Sequence, residues 1–425
     1  MALLRILPVF ACLPAAVLDS AASPVWRPFS DDSPWNRRIV ADAATDPASA
    51  ELVRDLAARG AWHINIRDWS IPVYFVDADT TPKHDVGDLR PGVYGAGFEF
   101  PRSIPIPDGA VASPPVGEDS DNHLCIVDRN KHLEWGMWAA RQREGRWFTG
   151  LGAVTDLSGT GVAVPWFAAR REFDSHRARA SGFPLIAGVI RRDEIRAGRI
   201  EHALVFAYDH CRTEFFIPPA STAQATVPGT RNSFGIPMGG RIQLDPAWDI
   251  ERSGLSAAGK VIARALQEYG AYCGDYAGAN VLYAENSPEA VAEWAGWLSS
   301  DELSAILTPD MIARHFRVMD MGNLLPGQNL AIPPPYVIAF GVAGERAPAR
   351  IDQLARTITV FMPETPADHA IATWTLHPAS TRMELDGRSL ASGKNELPLG
   401  HTVELRLTAP DGATNAWKVV AARGP

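Results

Sequence analysis

The chain has 425 residues, 46% apolar and 21% charged, with a net charge of −9 from 40 basic and 49 acidic side chains. That length exceeds one simple core and the composition is globular, so two domains, or one large domain with an appendage, are expected. An acidic chain without a basic block argues against a nucleic-acid partner. It also disfavours a strongly anionic polymer, unless a local arginine patch overrides the global sign.

The first residues, MALLRILPVFACLPAAVLDSAAS, place Arg5 before an apolar run that ends in small residues suited to cleavage near Ala22. Pro8 and Pro14 break the run, and it is too short for a membrane span. The expectation is a signal peptide over 1–22 and a secreted chain, extracellular or periplasmic, with no membrane span. A lipoprotein role for Cys12 fits the early position poorly. Of the remaining cysteines, Cys125 reads as a buried thiol, and a Cys211–Cys273 disulfide is left open.

In chain order, DPASAELVRDLAARG predicts a helix capped by Asp46, with Leu52, Val53 and Leu56 on one stripe and Gly60 as its stop. From Trp62 to about Leu244, short apolar runs alternate with turns, which predicts an antiparallel β-sandwich or jelly roll. Peripheral helices are predicted at RRDEIRAGR, LSAAGKVIARALQEYG, SPEAVAEWAGWL and TPDMIARHF, the last two opened by Ser287–Pro288 and Thr308–Pro309. FRVMDM reads as a last strand, and LPGQNLAIPPPY as a linker. The expected organisation is a β-sandwich domain over 23–325 and a small Ig-like β-sandwich over 336–425.

The chemistry concentrates in DSDNHLCIVDRNKHLEWGMWAA. Period-two alternation places Asp121, His123 and Cys125 on one strand face and Glu134, Gly136 and Trp138 on the matching face of the next. A four-residue turn over Asp128–Lys131 sets Asp121 opposite Trp138, His123 opposite Gly136 and Cys125 opposite Glu134. Gly136 then leaves open space between His123 and Glu134. An indole to stack on a pyranose ring and a carboxylate pair suit a polysaccharide substrate, with Glu134 as general acid and Asp121 as its partner. The plainer reading of such a polar face is ordinary solvent exposure.

His202 precedes a strand in phase with Tyr208, and a His–Tyr pair is the base–acid set of a polysaccharide lyase. Arg170, Arg171, Arg191 and Arg192 could neutralise a uronate there, although a lone histidine in an apolar strand is more simply a core residue. Trp69 and Asn65 could line the same groove, and Asp275 follows the long helix in a glycine-rich turn. No spacing for zinc, nucleotide, serine-hydrolase or zinc-protease chemistry is present, so no metal or cofactor is expected.

SPWNRRI, the block Ala180–Phe206 (ASGFPLIAGVIRRDEIRAGRIEHALVF) and ALQEYGAYCGDYAG resemble a broad group of secreted bacterial proteins. That group shares an SPWN-like motif, a DxH…EW hairpin, a GxIxHAL strand and a Tyr-Gly helix end followed by Asp. The resemblance covers most of residues 24–320 and implies an extracellular, carbohydrate-active β-sandwich. It raises Asp121, His123, Glu134 and His202 above their neighbours. The tail LPLGHTVELRLTAPDGATNAWKVVAA is similar to the cadherin-like or Ig-like modules attached to secreted enzymes. The expectation is a glycoside hydrolase using Glu134 and Asp121, assisted by His123 and His202, with Trp138, Tyr208, Trp69, Asn65 and Asp275 toward substrate. A lyase with a His202 or His123 base and a Tyr208 acid is the alternative. A non-catalytic glycan-binding protein is the third reading, and the sequence sets no oligomeric state.

Overall fold

Helix punctuation in the sequence is largely realised. The computed structural model describes residues 25–89, 103–115, 117, 120–170, 174–223, 232–299, 301–328, 330–363 and 368–423. The expected leader over 1–22, with Cys12, lies outside them, as does Arg171. Helix α1 (Ser49–Ala58) buries Leu52, Val53 and Leu56, but starts later than Asp46–Pro47 suggests. The Asp46 carboxylate instead accepts from Ala48 N at 2.8 Å, closing a turn ahead of the helix. Helices α2 (Arg192–Ala197) and α3 (Ala257–Glu268) follow. Ser256 caps α3 by accepting from Gly259 N at 3.1 Å, and Gly270 leaves it with φ of +67°. Any Cβ at Gly270 would lie 2.1 Å from Ile242 O, so both space and backbone require glycine there. Ser287 and Thr308 cap α4 (Pro288–Trp294) and α5 (Pro309–His315) as expected.

Strands outweigh helices, 35% to 16%, in mostly antiparallel sheets, so the chain is mainly β with few helices, consistent with a β-sandwich class. In chain order the main strands are β1 (His63–Asn65), β2 (Val73–Phe75), β3 (Leu124–Asp128), β4 (Leu133–Trp138), β5 (Leu151–Asp156), β6 (Leu204–Tyr208), β7 (Arg241–Leu244), β8 (Ala271–Tyr276), β9 (Val281–Tyr283) and β10 (Phe316–Val318). The central sheet has the order β1-β9-β6-β8-β7-β10. It contains two parallel pairs, β1 with β9 and β6 with β8, that the alternation of apolar runs did not announce. The physical reason is cover on both faces. Every residue of β6 is buried, and strands buried on both sides accept parallel neighbours reached through longer connections.

The hairpin β3–β4 forms a second sheet, ordered β5-β4-β3-β2. Odd residues pair with even ones as expected, but the register differs by two residues. Cys125 faces Gly136, Val127 faces Glu134 and Asp128 faces Leu133, so the turn runs from Arg129 to His132. Asp128 sets this position, because its carboxylate accepts from Asn130 N and Lys131 N, both at 2.9 Å, and from Ala78 N at 2.8 Å. Both faces of the hairpin are covered. Leu124, Ile126 and Met137 join a small core with Ile104, Ile106 and Trp147, while Cys125 and Val127 join the large core of the central sheet.

From Tyr336 onward the chain builds its own hydrophobic core around Val337, Ile358, Leu405, Trp417 and Val419, between a three-stranded and a six-stranded sheet. The expected linker is packed rather than free. Leu325 and Pro326 pair with Phe216 and Phe215, Glu214 accepts from Ala331 N at 2.7 Å, and the Trp166 indole donates to Pro326 O at 2.7 Å. Cys125, Cys211 and Cys273 are buried free thiols, the latter two with sulfurs 3.8 Å apart.

Gly136 is not an opening. A Cβ there would stand 2.7 Å from Glu134 Oε1 and 3.4 Å from Leu185 Cγ. Gly136→Ala is therefore expected to destabilise the protein by about 1–3 kcal/mol through overpacking. Urea unfolding measures this, and an unchanged midpoint would contradict the packing described.

Candidate active site

Glu134 organises the region. Its side chain turns inward from β4 over Gly136, and its two oxygens accept from Leu185 N at 2.9 Å and Ile186 N at 3.1 Å. The residue is fully buried, and burial pushes its carboxyl up to about 7 against the pull of those two amides and of Arg177 and Arg179. Glu134 thus fastens the segment leading into the 185–186 turn onto the hairpin. With both oxygens engaged by backbone, it is poorly placed to donate a proton to a substrate. That arrangement does not favour the general-acid role expected of it.

The fastened segment delivers Arg179 into a cluster drawn from four parts of the chain. Asp121 and His123 enter just ahead of β3, Asp275 from the end of β8, and Tyr283 from the end of β9. The charges of Asp121 and Arg179 act on both His123 and Asp275, and those of Asp121, Asp275 and Arg179 act on the Tyr283 phenol. His123 is buried, and desolvation lowers its imidazole to about 4, so it is neutral at ordinary pH. Its ring is held by the Ala178 backbone, while Nε2 has no hydrogen-bond partner. Part of Asp275 reaches solvent, yet its carboxyl is desolvated and, with the Asp121 charge beside it, is pushed up to about 7. Tyr276 N at 3.1 Å and the Ala180 amide donate to that carboxyl. Burial raises the Tyr283 phenol well above its usual value.

Trp138 has a different task from the sugar platform expected of it. Its indole N–H donates to Asp121 Oδ1 at 3.0 Å and so orients that carboxylate. Trp69 is the exposed aromatic, at 45% exposure and with φ of +55°. Asn65 fixes this turn by donating to Trp69 O at 2.9 Å. Trp69 N donates to Pro114 O, and Ser113 N next to it donates to His123 O, which ties the turn to the cluster. Asn65 lies opposite Tyr283 in the β1–β9 pair. Tyr276, at 50% exposure, is a second aromatic beside Asp275.

His202 and Tyr208 are not brought into this cluster. His202 is buried, with Nδ1 2.9 Å from Ala203 O and Nε2 2.8 Å from Glu194 Oε1, and Glu194 also pairs with Arg191 at 2.8 Å. This is a structural ion network at the start of α2. The Tyr208 hydroxyl is occupied by the Ile236 backbone, accepting from its N–H at 2.5 Å. Arg191 and Arg192 spend their donors on Asp193, Glu194, Glu285 and Glu293. Sequence reasoning missed Arg179 and Tyr283. "SHRARASGF" reads as a polar loop and "VLYA" as plain strand, so no local pattern marks either residue. Among the described residues, no group of three His, Cys, Asp or Glu side chains could hold a metal ion, and no helix is long and apolar enough to cross a membrane.

The Glu134 carboxyl makes stability depend on pH. The folded protein holds its proton up to about pH 7, whereas the unfolded chain releases it near the ordinary glutamate value of 4.5. Folding therefore takes up a proton across that window, and the stability contributed by Glu134 falls as pH rises through it. His123, lowered to about 4, acts oppositely between there and the ordinary histidine value of 6.5. Comparison with Glu134→Gln isolates the first effect. The melting-temperature advantage of the native protein over the variant is expected to shrink from pH 5 to pH 8, and a constant difference would contradict the assignment.

No protein-family model matches the chain, and no curated protein matches it.

Proposed function

We propose that the protein is a secreted polysaccharide-cleaving enzyme, a glycoside hydrolase whose working carboxyls are Asp275 and Asp121. The observation that carries this reading is the Asp275 carboxyl, pushed up to about 7 by burial and by the neighbouring Asp121 charge. A protonated carboxyl with a second carboxyl beside it is what glycoside hydrolysis requires. Protonated Asp275 gives its proton to the glycosidic oxygen as the bond to the leaving sugar breaks. Asp121, held by the Trp138 indole, serves as the nucleophile or as the base that activates water. Trp69 and Tyr276 offer exposed rings on which pyranose faces stack. Glu134 is a positioning residue, acting through the 185–186 turn.

A second reading, β-elimination, is favoured by a separate observation: neutral His123 has an unpartnered Nε2 in the same cluster as the protonated Tyr283 phenol. The imidazole would take the proton beside a uronate carboxyl, and the phenol would return one to the leaving oxygen. The two routes differ in product. Elimination leaves a double bond that absorbs in the near ultraviolet, whereas hydrolysis yields only new reducing ends.

Asp275→Asn is expected to lower kcat/KM on a cleaved glycan by roughly 10²–10⁴-fold while leaving the melting temperature nearly unchanged. Reducing-end and near-ultraviolet assays over a glycan library measure this. Full activity in the variant would remove Asp275 from the mechanism. A library that is retarded in affinity gels but yields neither product would make the protein a glycan-binding module.

A further inference from the structure

We infer that the site receives an acidic glycan, a uronate-bearing chain whose carboxylate is bound by the Arg179 guanidinium. The inference deepens the cleavage reading above and rests on it for the statement that this glycan is a substrate. Arg179 is only 3% exposed, yet its Nε and Nη1 have no hydrogen-bond partner. Its one hydrogen bond is a long one, from Nη2 to Leu185 O at 3.4 Å. The guanidinium carbon lies 4.4 Å from the centre of the Tyr283 ring, which holds the group by its face and leaves its edge for a ligand.

A buried cation is normally paired, and Arg191 and Arg192 in this same protein are. Arg179 forms no ion pair with any described carboxylate, although Glu134 and Asp275 lie near enough to feel its charge. Unspent guanidinium donors match a carboxylate in geometry and charge. The partner must come from outside, and the surroundings say what carries it. His123 Nε2 is a further unpartnered polar atom, and the exposed Trp69 sits in a turn tied through Pro114 and Ser113 to the His123 backbone. Carboxylate, polar atom and ring face together describe a uronic acid better than a neutral sugar or a free anion. Arg177, also near Glu134, adds a second cation to this region of a chain of net charge −9.

The test presents the full-length protein with a panel of polyuronates and with the same polymers after chemical reduction of their carboxyls to alcohols. Sulfated and neutral glycans complete the panel. Cleavage is read as above, and binding by affinity gel electrophoresis. The expected result is cleavage of at least one polyuronate and a loss of at least tenfold on carboxyl reduction. Arg179→Gln should lose the preference for the acidic polymer, and Arg179→Lys should keep part of it. Equal cleavage or binding of native and reduced polymers, or action only on neutral or sulfated glycans, would overturn the inference. Binding of a polyuronate through Arg179 without any product would leave the acidic-glycan site standing and remove the cleavage reading. Neither binding nor cleavage across the panel would remove both. The comparison of native with reduced polymer needs no variant, so a failure of Arg179→Gln to fold would not spare the inference.

Discussion

The two hydrogen bonds from Leu185 N and Ile186 N to the buried Glu134 carboxyl are the contact on which the rest of the site depends. They join the hairpin sheet to the segment that crosses the central sheet. Arg177 and Arg179 are carried on the approach to that joint, and Phe183 packs where a Cβ on Gly274 would otherwise stand. Without the joint there is no reason for Arg179 to lie between the hairpin and the ends of β8 and β9. The cost is a desolvated carboxyl, and the local geometry repays it with two amide donors and two nearby cations.

From that joint the cluster follows. The central sheet supplies Asp275 and Tyr283 from strand ends, the hairpin supplies Asp121 and His123, and the fastened segment supplies Arg179. His123, Asp275 and Tyr283 are shifted by burial and by charged neighbours. His123 is made neutral by desolvation in spite of Asp121, and Asp275 is made a weak acid by burial and the same aspartate. Asp121 therefore sits at the electrical centre of the cluster, oriented by the Trp138 indole. Polar groups left unpaired in so buried a place are expected to meet a ligand rather than each other.

Much of this was legible in the sequence where physics is local. Caps at Ser287 and Thr308 stand where side-chain hydrogen bonding requires them. Strand parity put Cys125, Glu134 and Gly136 on one face, because a period of two admits no compromise. The register slipped by two because Asp128, not its neighbours, holds the turn through its carboxylate. Long-range facts were not legible. Gly136 looked like a gap and is filled by Glu134 and Leu185, a residue some fifty positions away. Spacing leaves His202 open between a core residue and a lyase base, and the structure pairs it with Glu194 on α2. Arg179 and Tyr283 acquire meaning only when the central sheet brings strand ends together, which no local pattern encodes.

The central claim is that sugar occupies the space bounded by Asp121, His123, Arg179 and Asp275. A crystal structure of the Asp275→Asn protein soaked with an acidic oligosaccharide tests it most directly. The account predicts a sugar ring over the Asp121–Asp275 pair, with its carboxylate on Arg179 and a neighbouring ring against Trp69. Oligosaccharide density confined to another surface, such as the groove lined by His369, Arg388 and Lys394 in the C-terminal sandwich, would contradict it.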